Sequence, residues 1–216
     1  MNQSLWQFAV TAFVTILVVV DPLGLAPMFV GLTAGHNPTE RRAILRRSIV
    51  IALGVALLFL FVGRGALSYL GVSIHAFGIS GGILLFATAL PMLFGGRAAL
   101  QRPDGGESSV QSEDIAIFPL AIPLLAGPGT ITTILLLATR GDGHVRHQLA
   151  LAAAIVAVFA VSFWVLLWGE KLVRRVGEGG VHIATRVLGI LLAALAVQFV
   201  LNGLSGYYAS LAAVAH

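Results

Sequence analysis

Long runs without a charged residue decide what this chain can become. Six of them, Met1–Val20, Pro22–Thr39, Gly65–Gly96, Ile115–Thr139, Gln148–Gly169 and Val187–Ala215, fill most of the sequence. The hydrocarbon core of a bilayer is crossed by roughly 20 mostly apolar helical residues. The first two runs, parted only by Asp21, share one span, and each of the others is long enough to cross. Arg46–Val62 crosses as well once the arginines at its start snorkel to the interface. A soluble chain with 10% charged residues, against about 25% in an average soluble domain, would aggregate. The expected fold class is all-α, a polytopic membrane protein with six transmembrane helices. We place them near Leu5–Leu32, Ala43–Val62, Phe77–Phe94, Ile115–Ala138, Gln148–Trp168 and Thr185–Leu204.

With no cysteine in the chain, disulfides, thiol chemistry and Cys-based metal sites are excluded. The pI of about 10.3 does not point to nucleic acid, because the basic residues lie between spans and act as topology signals. Arg41, Arg42, Arg46, Arg47, Arg97, Arg102, Lys171, Arg174, Arg175 and Arg186 fall at the first, third and fifth connections. Only Arg64, Arg140 and Arg146 fall at the second and fourth. The positive-inside rule then places the first group in the cytoplasm and both termini outside. Met1-Asn2-Gln3-Ser4 lacks the basic start of a signal peptide, so the first span is expected to be retained.

Set against itself, the chain shows one consistent register. Asp21-Pro22-Leu23-Gly24 meets Gly127-Pro128-Gly129-Thr130 at an offset of 106, and Phe61-Val62-Gly63 meets Leu167-Trp168-Gly169. At 107, His75 meets His182 and Gly82-Ile83-Leu84-Leu85 meets Gly189-Ile190-Leu191-Leu192. Each half holds three spans, an odd number, so the second enters from the opposite side. Two inverted three-helix repeats follow, residues 1–96 and 115–216, joined by a polar cytoplasmic linker over 97–114. Secondary transporters are commonly built this way, with substrate held near the midplane where broken helices meet.

The first span of each half carries the sequence least suited to an unbroken helix. Pro22 and Pro27 interrupt one, Pro123 and Pro128 the other, and proline removes a backbone donor and strains the preceding turn. Leu5–Leu32 would reach about 42 Å as one helix, more than the roughly 30 Å of hydrocarbon. After each break a half-helix restarts, with Asp21 as N-cap in half one and bare glycines, Gly127 and Gly129, in half two. Asp21 is the one acid well inside an apolar segment, and such residues mark function by default. The free N–H groups at the other break suit an anion such as a carboxylate. Candidate substrate-binding residues are therefore Asp21, Pro22, Gly24, Gly127, Pro128, Gly129, Thr130 and Thr133, a cation site facing an anion site. The bland counterpart is two proline kinks and a capping aspartate, with the threonines bonded to their own backbone.

Elsewhere the default readings are structural. Gly78-Ile79-Ser80-Gly81-Gly82 offers a small-residue surface for close helix packing, and Gln198 and Asn202 suggest interhelical hydrogen bonds. His75 and His182, each beginning the last helix of a half, and Arg186 are expected at the interfaces.

Val20-Asp21-Pro22-Leu23-Gly24-Leu25-Ala26-Pro27, together with Pro119-Leu120-Ala121-Ile122-Pro123-Leu124-Leu125-Ala126-Gly127-Pro128-Gly129-Thr130-Ile131, resembles the MarC family of bacterial inner-membrane proteins. The resemblance runs along nearly the whole chain and implies a member of the wider LysE-type exporter group. It further implies six spans in the bacterial inner membrane and small neutral amino acids such as glycine or alanine as substrates. Asn is expected as readily as Asp before Pro22 in that family, so the shared mechanism need not use a charge there.

The leading expectation is a secondary transporter working by rocking of two halves, with no cofactor and no enzymatic activity. Its partners would be a small-molecule substrate and the lipid bilayer; proton or sodium coupling and a homo-oligomeric state are compatible with the sequence, which specifies neither. The alternative is a lipid- or drug-handling exporter of flippase type. An intramembrane protease built on Ser80 and His182 ranks lower, since the two sit on helices entering from opposite sides. No ring-forming filter sequence supports a channel.

Overall fold

In the computed structural model the described residues are 4–94, 121, 125–140 and 144–214, and they form seven helices. These are α1 (Leu5–Val20), α2 (Pro22–Leu32), α3 (Pro38–Tyr69), α4 (Ile74–Phe94), α5 (Pro128–Arg140), α6 (Val145–Leu167) and α7 (Gly169–Val214). The linker over 97–114 and most of 115–126 lie outside the described residues. Five segments are long and apolar enough to cross a membrane: Leu5–Leu32, Pro38–Tyr69, Ile74–Phe94, Val145–Leu167 and His182–Ala212. The sixth helix, α5, has 13 described residues and is too short to cross alone.

Local signals explain most boundaries. Ser4 opens α1 with a capping box: its Oγ accepts from the Gln7 N–H, and the Gln7 side chain accepts from the Ser4 N–H. Asn37 and Glu40 repeat the device at α3, with Pro38 at the first helical position. Helix α3 runs 32 residues, beyond the expected Ala43–Val62 at both ends. At 1.5 Å per residue that is about 48 Å, so its arginine-bearing first turns project past a core of roughly 30 Å. Gly71, at φ 68°, turns the chain into α4, and Gly177, at φ 73°, breaks α7 before its membrane-length segment.

Packing divides into two clusters. The larger joins α1, α2, α3, α5 and α6 around Ile16, Phe29, Leu45, Ile134, Ile155 and Phe159. The smaller joins α4 to α7 through Leu85, Ala89, Met92, Leu192, Ala196 and Phe199, with Val19 of α1 against it. Helices α4 and α7 run antiparallel: a Cβ built at Gly189 would lie 2.9 Å from Met92 Cβ, and one at Gly203 would lie 2.8 Å from the His75 carbonyl. Missing Cβ atoms are what let these backbones meet. The small-residue stretch expected to pack at Gly78–Gly82 does so, with Gly81 against Thr132 and Gly82 against the Ala196 carbonyl.

Helix α5 is the most enclosed element. Gly129, Thr130, Thr132, Thr133, Ile134, Leu135, Leu137 and Ala138 are all buried. The outer surface instead carries large apolar side chains such as Val50, Leu58, Phe61, Phe94, Trp164 and Ile190. That arrangement suits lipid, which is as apolar as leucine itself.

Candidate functional site

Asp21 is where the first span breaks. It is the one described non-glycine residue with positive φ, at φ 47° and ψ 61°, the left-handed conformation that Asp and Asn tolerate best. Its N–H donates to the Leu17 carbonyl and closes α1. Its Oδ1 accepts from the Gly24 N–H at 3.0 Å and caps α2, where Pro22 holds the first position. The unwinding is narrower than the two prolines suggest. Pro27 sits inside α2 and only withholds the N–H that the Leu23 carbonyl would otherwise accept.

The second break is wider. The Ala126 N–H reaches back five residues to the Ala121 carbonyl, and α5 then restarts at Pro128 with Ile131 N–H donating to the Gly127 carbonyl. Thr130 Oγ1 donates across the gap to the Leu125 carbonyl at 3.2 Å, while Thr133 Oγ1 donates to the Gly129 carbonyl at 2.7 Å. The hydroxyl hydrogens of both are therefore spent on the backbone. What this break offers a ligand is the backbone N–H groups of Gly129 and Thr130, which precede the first intrahelical bond. Gly127, in the register position of Asp21, has no side chain to cap them.

The two breaks meet. A cavity of about 100 Å³ is lined by Asp21, Gly127, Pro128, Gly129 and Thr130, with Val19, Val20, Leu25, Leu85, Thr88 and Leu192 completing its wall. Asp21 is 4% exposed and Thr130 2%. Three candidates stand behind the wall rather than in it: Pro22 and Gly24 shape the Asp21 cap, and Thr133 is fully buried. A carboxylate, a positive helix end and mostly apolar walls can hold one small dipolar solute. Low local dielectric strengthens both polar contacts.

Sequence reasoning missed the wall from α4 and α7. Leu85, Leu192 and Thr88, whose hydroxyl donates to the Leu85 carbonyl, close the cavity. The internal register did pair Leu85 with Leu192. The remaining polar candidates fall elsewhere. Gln198 and Asn202 bond each other along α7 at 2.8 Å rather than across helices, because a spacing of four puts both on one face. His182 and Arg186 are exposed. Ser80 and His182 are far apart: Gly189 meets Met92, so the axial rises from those contacts to the two residues add to about 28 Å. A nucleophile and its base need about 3 Å. Two larger hollows, of about 430 Å³ beside His144–His147 and about 300 Å³ around His75 and Arg140, lie at helix ends away from the breaks.

The model of the MarC family of integral membrane proteins matches residues 6–208, both helix breaks included. The chain belongs to that family. The UPF0056 inner membrane protein YhgN of Escherichia coli is 35% identical over 196 residues, 90% of this chain and 95% of that protein. A UPF0056 membrane protein of Methanocaldococcus jannaschii is 34% identical over 200 residues, 93% and 97% of the two chains. YvbG of Bacillus subtilis is 31% identical over 206 residues, 94% and 97%. No solved structure matches. This MarC-family chain is thus an integral membrane protein with bacterial and archaeal relatives, whose names state a membrane location and no substrate.

Proposed function

We propose that this MarC-family protein is a secondary transporter of small neutral amino acids, working by alternating access between two inverted repeats. The observation that carries the reading is the cavity of about 100 Å³ between a buried carboxylate and a glycine-bared helix start. Asp21 would take the ammonium group, and the N–H groups of Gly129 and Thr130 the carboxylate. Size narrows the substrate. Drug-sized ligands occupy roughly 300–1,000 Å³, whereas a cavity of this volume suits glycine or alanine.

The repeat is supported by register. Pro22 and Pro128 both hold the first position of a half-helix. In the α4–α7 cluster, Leu85, Ala89 and Met92 have Leu192, Ala196 and Phe199 as counterparts, each pair 107 apart. Packing between α2 and α7 has its counterpart between α5 and α4, and α2–α6 has its counterpart in α5–α3. Under this reading both termini and the His75 end face the periplasm, and proton or sodium coupling would act at Asp21.

Thermal stabilisation of the purified protein by graded solutes tests the reading. Glycine and alanine should raise Tm in a saturable way, leucine and tryptophan far less. Stabilisation by drugs or lipid headgroups without any by amino acids would put the exporter or flippase reading ahead.

A further inference from the structure

The central cavity and the hollow around His75 share three bounding helices, α4, α5 and α7. Leu85 and Thr88 of α4, Gly129 and Thr130 of α5 and Leu192 of α7 line the first. His75 of α4, Thr139 and Arg140 of α5 and Asn202 of α7 line the second. Along α5 the two are about 15 Å apart, ten residues at helical rise. Between them α4 meets its neighbours through glycines, with no side chain of its own at the contacts. Gly78 sits against Leu136, with a built Cβ 3.4 Å from its Cδ2, Gly81 lies directly on Thr132, and Gly82 faces the Ala196 carbonyl.

Hydrogen bonding in the hollow leaves two donor groups, those of Asn202 and Arg140. Thr139 and Ser205 spend their hydroxyl hydrogens on the carbonyls of Leu136 and Asn202. Gln198 donates to Asn202 Oδ1, which fixes the Asn202 amide and leaves its NH2 group to donate. That amide and the exposed guanidinium of Arg140 are the donors of the hollow, and Arg140 is a fixed cation. No acidic side chain lines the hollow among the described residues.

We propose that the α4–α5–α7 seam is the substrate's route, and that its polar end, at Arg140 and Asn202, is a second binding station for the carboxylate of the transported solute. This rests on the transport reading above. The glycine contacts form the closed gate between the two stations, and opening requires α4 to separate from α5. Arg140 has a simpler possible duty, since a cation in the last turn of α5 complements the helix dipole. Bidentate recognition separates the two duties, because lysine keeps the charge and loses the fork.

The experiment uses the full chain in liposomes with labelled glycine. Arg140→Gln should raise the half-saturating concentration about tenfold, the scale of one charged hydrogen bond, with the maximal rate kept. Arg140→Lys should fall between, with Tm unchanged. Half-saturation unchanged in Arg140→Gln, while the wild type is active, overturns the station alone; an equal rise in Asp142→Asn, which would indicate an ion pair with that sequence neighbour, also overturns it. No uptake of any amino acid by the wild type overturns both the station and the transport reading. The route has its own arm. The chain has no cysteine, so Gly78→Cys with Leu136→Cys can be joined selectively by a short bis-methanethiosulfonate reagent, whose links are reducible. Cross-linking should stop uptake and reduction restore it; uptake persisting in fully cross-linked protein contradicts the gate.

Discussion

At the scale of the residue, Asp21 does two jobs that one substitution cannot separate. It occupies a left-handed backbone position and caps α2 through Oδ1. Alanine there loses the cap and strains the backbone, each costing on the order of 1 kcal/mol. Asparagine keeps both features and removes only the charge. We therefore expect Asp21→Asn to melt within a few degrees of wild type in detergent, and Asp21→Ala distinctly lower. Equal Tm values would mean that the left-handed cap contributes nothing. Asp21, Gly127 and Gly129 were legible because an acid and bare glycines beside prolines conflict with an apolar helix. Leu85 and Leu192 were not legible as cavity wall, since nothing local marks which leucine of a span faces a cavity. Thr88 is the lone hydroxyl in the second half of α4, a signal visible in the sequence that no motif picked out.

Elements are set by the two kinds of glycine they carry. Gly54 lies in α3 with nothing within 4 Å of a built Cβ, whereas a Cβ at Gly82 would meet the Ala196 carbonyl at 2.7 Å. Gly54→Ala should be neutral or stabilise by up to about 1 kcal/mol through helix propensity alone. Gly82→Ala should lower Tm, because the contact is with backbone and α4 must move away from α7. A lower Tm for Gly54→Ala than for Gly82→Ala in the same detergent would contradict this packing. The glycine surface of α4 was legible from spacing, yet its partners on α5 and α7 were not. The Gln198–Asn202 pair shows the reverse error: two amides near one end of a span suggested a partner helix, and their spacing of four made them partners of each other. Span ends were also misjudged, because apolar length marks the hydrocarbon core while α3 continues beyond it.

Across the whole molecule, the order of the helices was legible because uncharged length is a strong signal, and the meeting of the two breaks because the sequence register pairs Asp21 with Gly127, which line one cavity. Orientation is a separate question with its own measurement. Single cysteines at Gln3, Ser109 and Ala215 should react with an impermeant reagent in intact cells at the first and last positions only. Labelling at Ser109 alone would reverse the topology while leaving the cavity intact. The central claim is that substrate sits between Asp21 and the start of α5. Labelled glycine uptake into liposomes, comparing wild type with Asp21→Asn and Gly129→Val, tests it most directly. A Cβ at Gly129 would reach Leu85 Cδ1 at 2.5 Å and take up part of the cavity. The account predicts active wild type, at least about tenfold weaker apparent affinity for glycine in Gly129→Val, and a milder loss in Asp21→Asn, whose amide oxygen still accepts from the ammonium group. Wild-type half-saturation in both folded variants would place the substrate elsewhere.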